Sequence, residues 1–392
     1  MKIAIIGGGV IGLSIAWEVT RRGHQAIVIE KSRLGRGASW AGAGILPPSN
    51  AATAIHPLEH LEARSDELHP QWADRLKKET GIDNGFQTCG GLYLARTAGE
   101  RASLRGRASE WKERKIPFDE LSSKELSDQF PALSPSVLDG AMAWWAPGET
   151  QICNPHHVQA LIVACKRQGV ELLEDCGDSK IDYHQDDQSA VKQVTIAPNS
   201  NAPRTISADA YCLTAGPWSG QIANQMLGQP SDQSPNTGDG PLPMLPVRGQ
   251  MLLFKLDAAP FASVVNEGTR YLVPRQDGHV LFGATIEEVG FDISTTEAGI
   301  ANLTEHAASL LPQLTEACLV KTWAGLRPGT FDGFPYIGPL SHSSNLFVAT
   351  GHFKAGLHLS PGTAEIVADL VEQKTPKIDL RPFAPSRVKV SS

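Results

Sequence analysis

Three glycines near the start of the chain, Gly7, Gly9 and Gly12, have a spacing that suits phosphate binding. They follow an apolar segment, residues 2–6, whose composition is typical of a buried strand. In a strand–turn–helix unit the first glycine permits a tight turn, the second lets a pyrophosphate approach the backbone, and the third lets the helix pack closely on the strand. The first N–H groups of a helix lack partners within it, so its N-terminus can bind the pyrophosphate without a basic side chain. The spacing therefore predicts a dinucleotide site at the start of a helix over about residues 10–22.

An acidic residue, Glu30, closes the same unit directly after a second apolar segment, residues 26–29. Its carboxylate is expected to accept hydrogen bonds from both ribose hydroxyls of an adenosine. A carboxylate at this position would repel the ribose phosphate of NADP, so the sequence favours NAD or FAD and leaves that choice open. The alternative is a glycine-rich turn between unrelated elements. The ordered succession of strand, glycines, amphipathic helix, second strand and acid argues against it.

Two further segments have the small residues that a flat ligand requires. Residues 35–48 are mostly Gly, Ala, Pro and other small residues, which let a backbone lie directly against a ring. A flexible linker is the alternative, but the segment follows Glu30 closely, where the phosphates and ring of a flavin would extend. An apolar strand that begins near residue 208 ends in Ala215 and Gly216. This pattern predicts a second strand-to-helix junction beside the dinucleotide.

Composition limits the class of protein. The chain has 392 residues, 41% of them hydrophobic, and a formal net charge of −7. A chain longer than roughly 250 to 300 residues is expected to form two domains. The negative charge disfavours nucleic acid as a partner and indicates a small substrate. We expect neither a secretory leader nor a membrane span, because glycines break the first apolar segment and no run of about 18 apolar residues occurs. The six cysteines form no CxxC pair, which disfavours a metal site and favours buried thiols in a reducing compartment, the cytoplasm.

Periodicity and turn residues predict the remaining elements. Apolar and polar residues alternate from 245 to 285, which indicates an antiparallel sheet with one covered face. Residues 84–94 are expected to form a hairpin. Helices are expected over about 57–80, 99–115, 155–168, 297–311 and 361–373, and further strands over 169–173, 250–255, 271–274, 280–284 and 346–350.

Five blocks of the chain together resemble a known family. They are residues 6–12 with Glu30, residues 38–45, YLVPR at 271–275, WAGLRPGTFDGFPYIG at 323–338, and GHFKAGLHL at 351–359. These blocks are similar to the D-amino-acid oxidase family of FAD-dependent amine oxidases, and within it to the glycine oxidases of thiamine biosynthesis. The resemblance runs along the whole chain in order.

The resemblance implies an α/β fold, α+β overall, with two domains. A Rossmann-like FAD-binding domain is expected from residues 1–83, 150–219 and 320–392, and an antiparallel-sheet substrate domain from residues 84–149 and 220–319. FAD is expected to be bound non-covalently, because no cysteine lies in a block that attaches flavin in the family. The residues expected to hold FAD, from the glycine motif, the second junction or the matching blocks, are Gly7, Gly9, Val10, Ile11, Gly12, Glu30, Lys31, Ala38, Ser39, Ala43, Gly44, Ile45, Asp178, Ala215, Gly216, His352, Phe353, Lys354, Ala355, Gly356, Leu357 and His358.

Three residues are expected to act on the substrate. Arg327 matches the arginine that pairs with the substrate carboxylate, and a planar guanidinium that keeps its proton can bind a carboxylate through two hydrogen bonds. A surface ion pair is the alternative. Tyr271 matches the tyrosine whose hydroxyl helps to hold that carboxylate, and core packing is its alternative. Lys354 stands where close glycine oxidases carry a second arginine. It keeps the charge but loses the planar fork, which puts a strict preference for glycine in doubt.

The activity that the resemblance implies is oxidative deamination of a small amino acid, glycine or a D-amino acid. A hydride passes from the α-carbon to flavin N5, and the products are an oxo acid, ammonia and hydrogen peroxide, without a protein base. Three alternatives stay open: a sarcosine or N-methyl amino acid oxidase, a D-amino acid dehydrogenase that uses another electron acceptor, and a non-catalytic flavin-binding subunit. The oligomeric state is also open, a homo-oligomer included.

Overall fold

The structure is a computed structural model that describes residues 1–177, 179–183, 190–197, 202–226, 242–340 and 343–387. The helices of these residues are α1 (Val10–Arg21), α2 (Ala38–Ala41), α3 (Pro57–Thr80), α4 (Ala98–Glu113), α5 (Ser123–Gln129), α6 (Pro135–Gly140), α7 (Asn154–Arg167), α8 (Ser219–Met226), α9 (Glu297–Leu310) and α10 (Gly356–Val371). The strands are β1 (Lys2–Ile6), β2 (Gln25–Ile29), β3 (Ile45–Leu46), β4 (Gln87–Thr88), β5 (Gly91–Ala95), β6 (Asp119–Leu121), β7 (Met142–Ala146), β8 (Thr150–Gln151), β9 (Glu171–Leu173), β10 (Ser179–Tyr183), β11 (Val191–Ile196), β12 (Arg204–Ile206), β13 (Ala210–Leu213), β14 (Leu245–Lys255), β15 (Val264–Glu267), β16 (Arg270–Pro274), β17 (His279–Gly283), β18 (Cys318–Gly329), β19 (Tyr336–Pro339) and β20 (Leu346–Thr350).

A six-stranded sheet contains the strand that precedes the glycines. Its order is β19-β20-β13-β1-β2-β9, and all neighbours are parallel except β19 and β20. One face packs against α1, α3, α7 and α10, and the other covers a second apolar cluster shared with β11 and β12. Parallel strands buried on both faces read as continuous apolar runs, which is why β1, β13 and β20 were predictable from the sequence. The predicted strand–helix–strand unit and the second junction after β13 are confirmed.

An eight-stranded sheet forms the other half of the molecule. Its order is β18-β14-β17-β16-β15-β5-β7-β6, antiparallel apart from the parallel pair of β15 and β5. Leu252, Phe282 and Leu303 belong to the apolar cluster that joins this sheet to α9. Met251 and Val273 belong to a separate cluster with Ala43 and point to the opposite face. The predicted antiparallel sheet is confirmed, but the expectation of a single covered face is wrong. Side chains on both faces of β14 are buried, and the second face meets the small-residue segment that follows β2.

The predicted hairpin over residues 84–94 is wrong. Strand β4 pairs with β8 in a small three-stranded sheet, whereas β5 pairs with β7 and β15 in the eight-stranded sheet. The N–H groups of Cys89 and Gly90 both donate to the carbonyl oxygen of Glu149, at 3.1 and 3.0 Å. The bend between the two strands is therefore held by a distant loop, so the strands diverge and do not pair with each other.

Helix α10 begins five residues before the predicted start. Proline favours the first turn of a helix, where its missing N–H has no intrahelical partner, so residue 361 indicated a start. The helix instead begins at Gly356 and contains Pro361. The carbonyl of Leu357, which loses its usual N–H partner at Pro361, accepts a hydrogen bond from Ser360 Oγ at 2.9 Å. A side-chain donor therefore compensates for the proline.

The division into domains stays a prediction, but the sheet pairing bears on one boundary. Strand β18 pairs with β14 along its length, from Cys318 to Gly329. We propose that β18 belongs to the substrate domain and that the final FAD-binding segment begins after it, not at residue 320. No helix among the described residues combines the length and apolarity needed to cross a membrane.

Candidate active site

The glycine turn after β1 is packed closely against the end of β13. Gly7 has a φ of +114°, and a Cβ there would lie 2.5 Å from the carbonyl oxygen of Thr214. A Cβ on Gly12 would lie 2.0 Å from the carbonyl oxygen of Gly7. Only glycine fits at these two positions, so α1 begins directly against the turn with Val10 and Ile11 in its first turn. This is the shape that a pyrophosphate at a helix N-terminus requires.

Two other predicted segments border this turn. Ser39 Oγ accepts a hydrogen bond from the N–H of Val10 at 2.8 Å, and a Cβ on Gly9 would lie 3.1 Å from the same oxygen. At residues 215–216, the carbonyl of Gly216 accepts a hydrogen bond from Thr350 Oγ1 at 3.0 Å. The ends of β1, β13 and β20 therefore meet the small-residue segment around one turn.

Glu30 lies at the mouth of the glycine turn. Its Oε2 accepts a hydrogen bond from the N–H of Gly8 at 2.8 Å, and its Oε1 accepts one from the N–H of Ser32 at 3.0 Å. The neighbouring Lys31 is exposed, and its carbonyl accepts a hydrogen bond from Gly177 at 3.3 Å. Asp178 lies outside the described residues. Two backbone hydrogen bonds therefore fix the carboxylate of Glu30 beside the glycine turn, and its binding role stays a prediction.

The small-residue segment, residues 35–48, is held by an arginine that was not among the predicted site residues. Arg275 Nη2 donates to the carbonyl oxygens of Ala43 and Ile152 at 2.7 and 3.1 Å, and Nη1 donates to Gln151 Oε1 at 2.7 Å. Burial lowers the pKa of this guanidinium. Arg275 therefore fastens the segment to the substrate sheet. Its position in the YLVPR block is the sequence feature that could have identified it as a site residue.

Asn154, at the start of α7, supports the same segment from the other side. Its Nδ2 donates to the carbonyl oxygen of Ser39 at 3.0 Å. A Cβ on Gly44 would lie 1.9 Å from the carbonyl oxygen of Ile152 and 2.5 Å from Asn154 Oδ1. That Oδ1 is buried and has no hydrogen-bond partner among the described residues. A flat polar ligand lying along the segment would meet this acceptor, so the residues present fit a flavin.

One row of side chains crosses the substrate sheet opposite the segment. Tyr271 pairs with Gly283, Gly283 with Met251, and Met251 with Trp323. Side chains in one row share a face of the sheet. Trp323 Nε1 donates to the carbonyl oxygen of Ala41 at 3.0 Å, which fixes the distance between the sheet and α2. The row therefore forms one wall of a site whose other wall is the small-residue segment.

Arg327 and Tyr271 lie in the small cavity between these walls. The cavity has a volume of about 40 Å³, and its lining residues are Ala38, Ala41, Gly42, Gly249, Met251, Tyr271, Gly325 and Arg327. Tyr271 Oη donates to Met251 Sδ at 3.4 Å. Burial raises the pKa of the Tyr271 hydroxyl, and the positive charge of Arg327 opposes that rise. The two predicted carboxylate ligands are therefore brought together.

Backbone carbonyl groups bind the guanidinium of Arg327, and its positive charge has no carboxylate partner among the described residues. Nη1 donates to the carbonyl oxygen of Thr285 at 3.1 Å, and a Cβ on Gly249 would lie 2.1 Å from Nη2. No carboxylate forms an ion pair with Arg327 in the described part of the chain. A half-buried charge without a partner is costly, so this arrangement favours an anionic ligand over the surface ion pair that was the alternative.

A second positively charged residue, Lys354, lies close enough to Arg327 for the two charges to interact. It lies in a short 3₁₀ turn, residues 353–355, between β20 and α10, where Phe353 has a φ of +48°. Burial lowers the pKa of Lys354, and the positive charges of Arg327 and Arg107 lower it further. In the described ranges no acid pairs with Lys354. A left-handed bulky residue at this turn is an outlier of the kind found at ligand sites.

The remaining predicted residues of this block turn their polar side chains into the protein. His352 Nε2 lies 3.0 Å from Thr363 Oγ1, and burial lowers the pKa of His352 to about 3. His358 Nε2 lies 2.6 Å from Asp66 Oδ1. The N–H of Ala355 donates to the carbonyl oxygen of His352 at 2.9 Å. The FAD-binding role of residues 352–358 stays a prediction.

The fold and the site together define a flavin-dependent oxidoreductase. A glycine turn at a helix N-terminus lies beside a fixed carboxylate, and the small-residue segment lies opposite a guanidinium that pairs with no carboxylate in the described ranges. The family model described as DAO, FAD dependent oxidoreductase, matches residues 2–370. The chain belongs to this DAO family of FAD-dependent oxidoreductases.

Known relatives are similar to this chain along almost its whole length. A glycine oxidase of Pseudomonas putida is 34% identical over 388 residues, which cover 98% of each protein. A glycine oxidase of Geobacillus kaustophilus is 33% identical over 386 residues, or 98% of this chain and 96% of that protein. The crystal structure of glycine oxidase from Geobacillus kaustophilus superposes with a TM-score of 0.85 at 32% identity, covering 99% of this chain and 98% of that one. The predicted family, fold class, FAD cofactor and enzyme class are confirmed, whereas the roles of individual residues stay predictions.

Proposed function

We propose that this chain catalyses the oxidative deamination of a small amino acid, glycine or a D-amino acid, to an oxo acid, ammonia and hydrogen peroxide. The observation that carries the proposal is the guanidinium of Arg327, which has no carboxylate partner among the described residues, shares a cavity with Tyr271 and faces the small-residue segment. The relatives named glycine oxidase support the choice of substrate. A role in thiamine biosynthesis and a place in the cytoplasm are part of the same proposal, and six free cysteines suit a reducing compartment.

The residues of the site act by positioning. Arg327 binds the α-carboxylate through two parallel hydrogen bonds, and Tyr271 donates a further one from its hydroxyl. Tight orientation can supply roughly 7 to 11 kcal/mol of barrier reduction when the reacting atoms are aligned. Bound FAD supplies a hydride acceptor for the α-carbon. We assign no general base, because the amine needs only to lose its ammonium proton before the substrate is oxidised.

Anaerobic mixing tests the activity directly. The purified enzyme is mixed without oxygen with glycine, sarcosine, D-alanine and L-alanine while the flavin absorbance near 450 nm is followed. Bleaching by glycine or D-alanine supports the proposal. Faster bleaching by sarcosine favours an N-methyl amino acid oxidase, and slow recovery of colour in air favours a dehydrogenase. Colour that no amine changes would favour the non-catalytic flavin-binding subunit. Light scattering on the same sample gives the oligomeric state.

FAD is expected to leave the protein on denaturation. The six cysteines are free, and five of them are buried or half-buried, so only Cys318 is exposed at the start of β18. Precipitating the purified protein with acid should leave the yellow colour in the supernatant. A yellow pellet after washing would show a covalent bond and would contradict this prediction.

Replacing Glu30 by glutamine is expected to weaken FAD binding about five- to thirtyfold. The change removes the charge that strengthens hydrogen bonds from ribose hydroxyls, an effect of about 1 to 2 kcal/mol. Titration of the apoprotein with FAD, followed by flavin fluorescence, gives the dissociation constant. The matched control is E125Q, because Glu125 also accepts a backbone hydrogen bond, from Ser122, but lies in α5. Equal affinity of E30Q and E125Q for FAD would remove Glu30 from the site.

Replacing Lys354 by methionine is expected to raise KM about three- to thirtyfold for glycine and D-alanine alike. The lysine would pair with the α-carboxylate, which both substrates share, so the loss does not depend on the side chain of the substrate. Steady-state oxygen consumption gives KM for each amine, and K124M on α5 is the control for the loss of one positive charge.

The arginine variant at this position tests the geometry. K354R restores a planar fork and should tighten glycine binding. A KM that K354M leaves within twofold, together with an altered flavin reduction potential, would show that Lys354 lies near the flavin without touching the substrate.

A further inference from the structure

The two carbonyl oxygens that bind Arg327 belong to different segments of the substrate sheet. Nη1 of Arg327 donates to the carbonyl oxygen of Thr285 at 3.1 Å and to that of Arg248 at 3.4 Å. Arg248 lies in β14, whereas Thr285 lies in residues 284–296, which connect β17 to α9 and are called here the β17–α9 segment. The position of the guanidinium therefore depends on how this segment is fixed to β14.

Two backbone hydrogen bonds join the segment to β14. The N–H of Arg248 donates to the carbonyl oxygen of Glu287 at 2.8 Å, and the N–H of Glu287 donates to the carbonyl oxygen of Arg248 at 3.0 Å. The carbonyl oxygen of Arg248 thus accepts from both Glu287 and Arg327. A shift of the segment would break this pairing and move the Thr285 carbonyl oxygen away from the guanidinium.

Two buried side chains of β14 contact the segment from the other face of the sheet. Successive side chains of a strand point to opposite faces. A Cβ on Gly249 would lie 2.1 Å from Nη2 of Arg327, so the neighbouring side chains of Arg248 and Gln250 point away from the guanidinium. Arg248 is 5% exposed, Gln250 is fully buried, and neither lines the cavity that holds Arg327. Any effect of these side chains on the substrate must therefore pass through the backbone.

Arg248 supplies the charged contacts to the segment. Its Nε donates to Glu287 Oε2 and its Nη1 donates to Asp292 Oδ2, both at 2.5 Å. Burial alone would raise the pKa of Glu287, but hydrogen bonds from Arg248 and Gln250 hold that pKa below its ordinary value. Glu287 is therefore ionised at neutral pH, and a buried guanidinium that lost this partner would be destabilised. The ion pairs hold the segment at positions 287 and 292.

Gln250 supplies neutral contacts near both ends of the segment. Its N–H donates to Thr285 Oγ1 at 2.9 Å, and its Nε2 donates to Glu287 Oε1 at 2.8 Å. Its Oε1 accepts a hydrogen bond from the N–H of Thr296 at 2.8 Å. The segment is thus bonded to β14 at its first and last residues by Gln250 and between them by Arg248.

We propose that Arg248 positions Arg327 for substrate binding. Its ion pairs with Glu287 and Asp292 hold the β17–α9 segment in place, and the segment holds the carbonyl oxygen of Thr285 against the guanidinium. The inference rests on the proposed function, in which Arg327 binds the α-carboxylate. A planar guanidinium forms two parallel hydrogen bonds with a carboxylate only when the two groups are aligned, so a displaced Nη1 weakens the contact. Arg248 itself does not contact the substrate.

Carboxylate affinity tests this role without turnover. Acetate has the carboxylate of glycine but no amine to be oxidised, and its dissociation constant for the oxidised enzyme follows from the change in flavin absorbance. R248Q is expected to raise this constant and KM for glycine about three- to tenfold, the effect of one weakened hydrogen bond. R248K keeps the charge and should recover part of the loss. E287Q, which keeps the shape of the partner, is the milder variant and should change both constants in the same direction.

The matched control is R96Q. Arg96 also forms an ion pair with a buried carboxylate of the same sheet, that of Glu267, but Glu267 lies in β15, outside the β17–α9 segment. Thermal unfolding of R96Q and R248Q measures the stability that each loses with its ion pair. R96Q should leave the acetate constant and KM within twofold of the wild type, whatever its melting temperature.

A double-mutant cycle separates positioning from general stability. If Arg248 acts through Arg327, R248Q should lower kcat/KM for glycine less than about twofold in the R327A background, because the guanidinium that it positions is absent there. Equal effects of R248Q in the wild-type and R327A backgrounds would overturn the inference.

Two further results distinguish this inference from the proposed function. Acetate and glycine constants that stay within twofold of the wild type in R248Q and E287Q would overturn the inference, while flavin reduction by glycine keeps the proposed function. If R248Q fails to fold, E287Q alone decides in the same way. Flavin that no amine reduces would overturn the proposed function, and the acetate constants would still show whether Arg248 positions Arg327.

Discussion

Replacing Arg327 by alanine is expected to lower kcat/KM for amine substrates by about thirtyfold to several thousandfold while leaving the flavin spectrum largely intact. The substrate carboxylate would lose a two-pronged, charge-assisted partner and stay in a half-buried cavity, which costs roughly 2 to 5 kcal/mol. The flavin spectrum should persist, because Arg327 belongs to β18 and its backbone partner Thr285 belongs to the substrate sheet region. Steady-state kinetics with glycine and D-alanine, and the visible spectrum of the same sample, measure the two effects.

One variant at the same position separates the charge of Arg327 from its geometry, and two variants elsewhere in the substrate sheet serve as comparisons. R327K keeps the charge without the fork and should lie between the wild type and R327A. Y271F removes only one hydrogen bond and should cost less than R327A, about three- to tenfold. R270A changes a half-buried arginine of β16 whose guanidinium donates a hydrogen bond to Asn302 Oδ1, and it should leave kcat/KM within twofold. A loss below threefold in R327A would show that another residue holds the carboxylate.

The dinucleotide-binding unit was predictable because its signals are local. The turn, the helix and the second strand lie within thirty residues, and the structure gives a steric reason for glycine at Gly7 and Gly12. Strand β20 was likewise predicted from Leu346 to Thr350, the range that it occupies. Such elements are specified by a short run of residues, so a single sequence is enough to locate them.

The misassigned elements depend on partners far along the chain. Whether β4 and β5 form a hairpin is decided by Glu149, about sixty residues later, whose carbonyl binds both Cys89 and Gly90. Periodicity shows which residues alternate but does not name the partner strand. The assignment of β18 to a domain has the same origin, because its pairing with β14 joins residues roughly seventy positions apart.

The sequence indicated the residue types expected to bind the substrate, but it did not indicate the residues that position them. Arg327 and Tyr271 line one cavity, and the charge of Arg327 acts on Lys354, whereas the roles of the three residues toward a substrate stay predictions. Arg275 and Gly249 were not identified, since their roles arise from register. Gly249 faces Gly325 across β14 and β18, and that pairing makes the room that the guanidinium of Arg327 occupies. No pattern in β14 alone indicates this requirement.

Replacing Gly12 by alanine is expected to weaken FAD binding about five- to 150-fold and to lower the melting temperature of the protein. The new Cβ would lie 2.0 Å from the carbonyl oxygen of Gly7 and 2.7 Å from Thr214 Oγ1, and neither atom can move freely. The Gly7 carbonyl is itself bonded by Thr214 Oγ1 at 2.8 Å, so the collision displaces the turn or the start of α1. Overpacking of this kind costs about 1 to 3 kcal/mol, and here it deforms the backbone that would contact the pyrophosphate.

The matched control for this variant is G106A. Gly106 also lies within a helix, α4, but a Cβ there would meet no atom within 4 Å. That alanine should stabilise the protein by up to about 1 kcal/mol, because glycine is a poor helix former, and should leave FAD affinity unchanged. Titration of both apoproteins with FAD and thermal unfolding with and without FAD separate the two outcomes. If G12A bound FAD as tightly as G106A, the close approach of α1 to the turn would not be a requirement of the cofactor site. The steric explanation for glycine at position 12 would then be wrong.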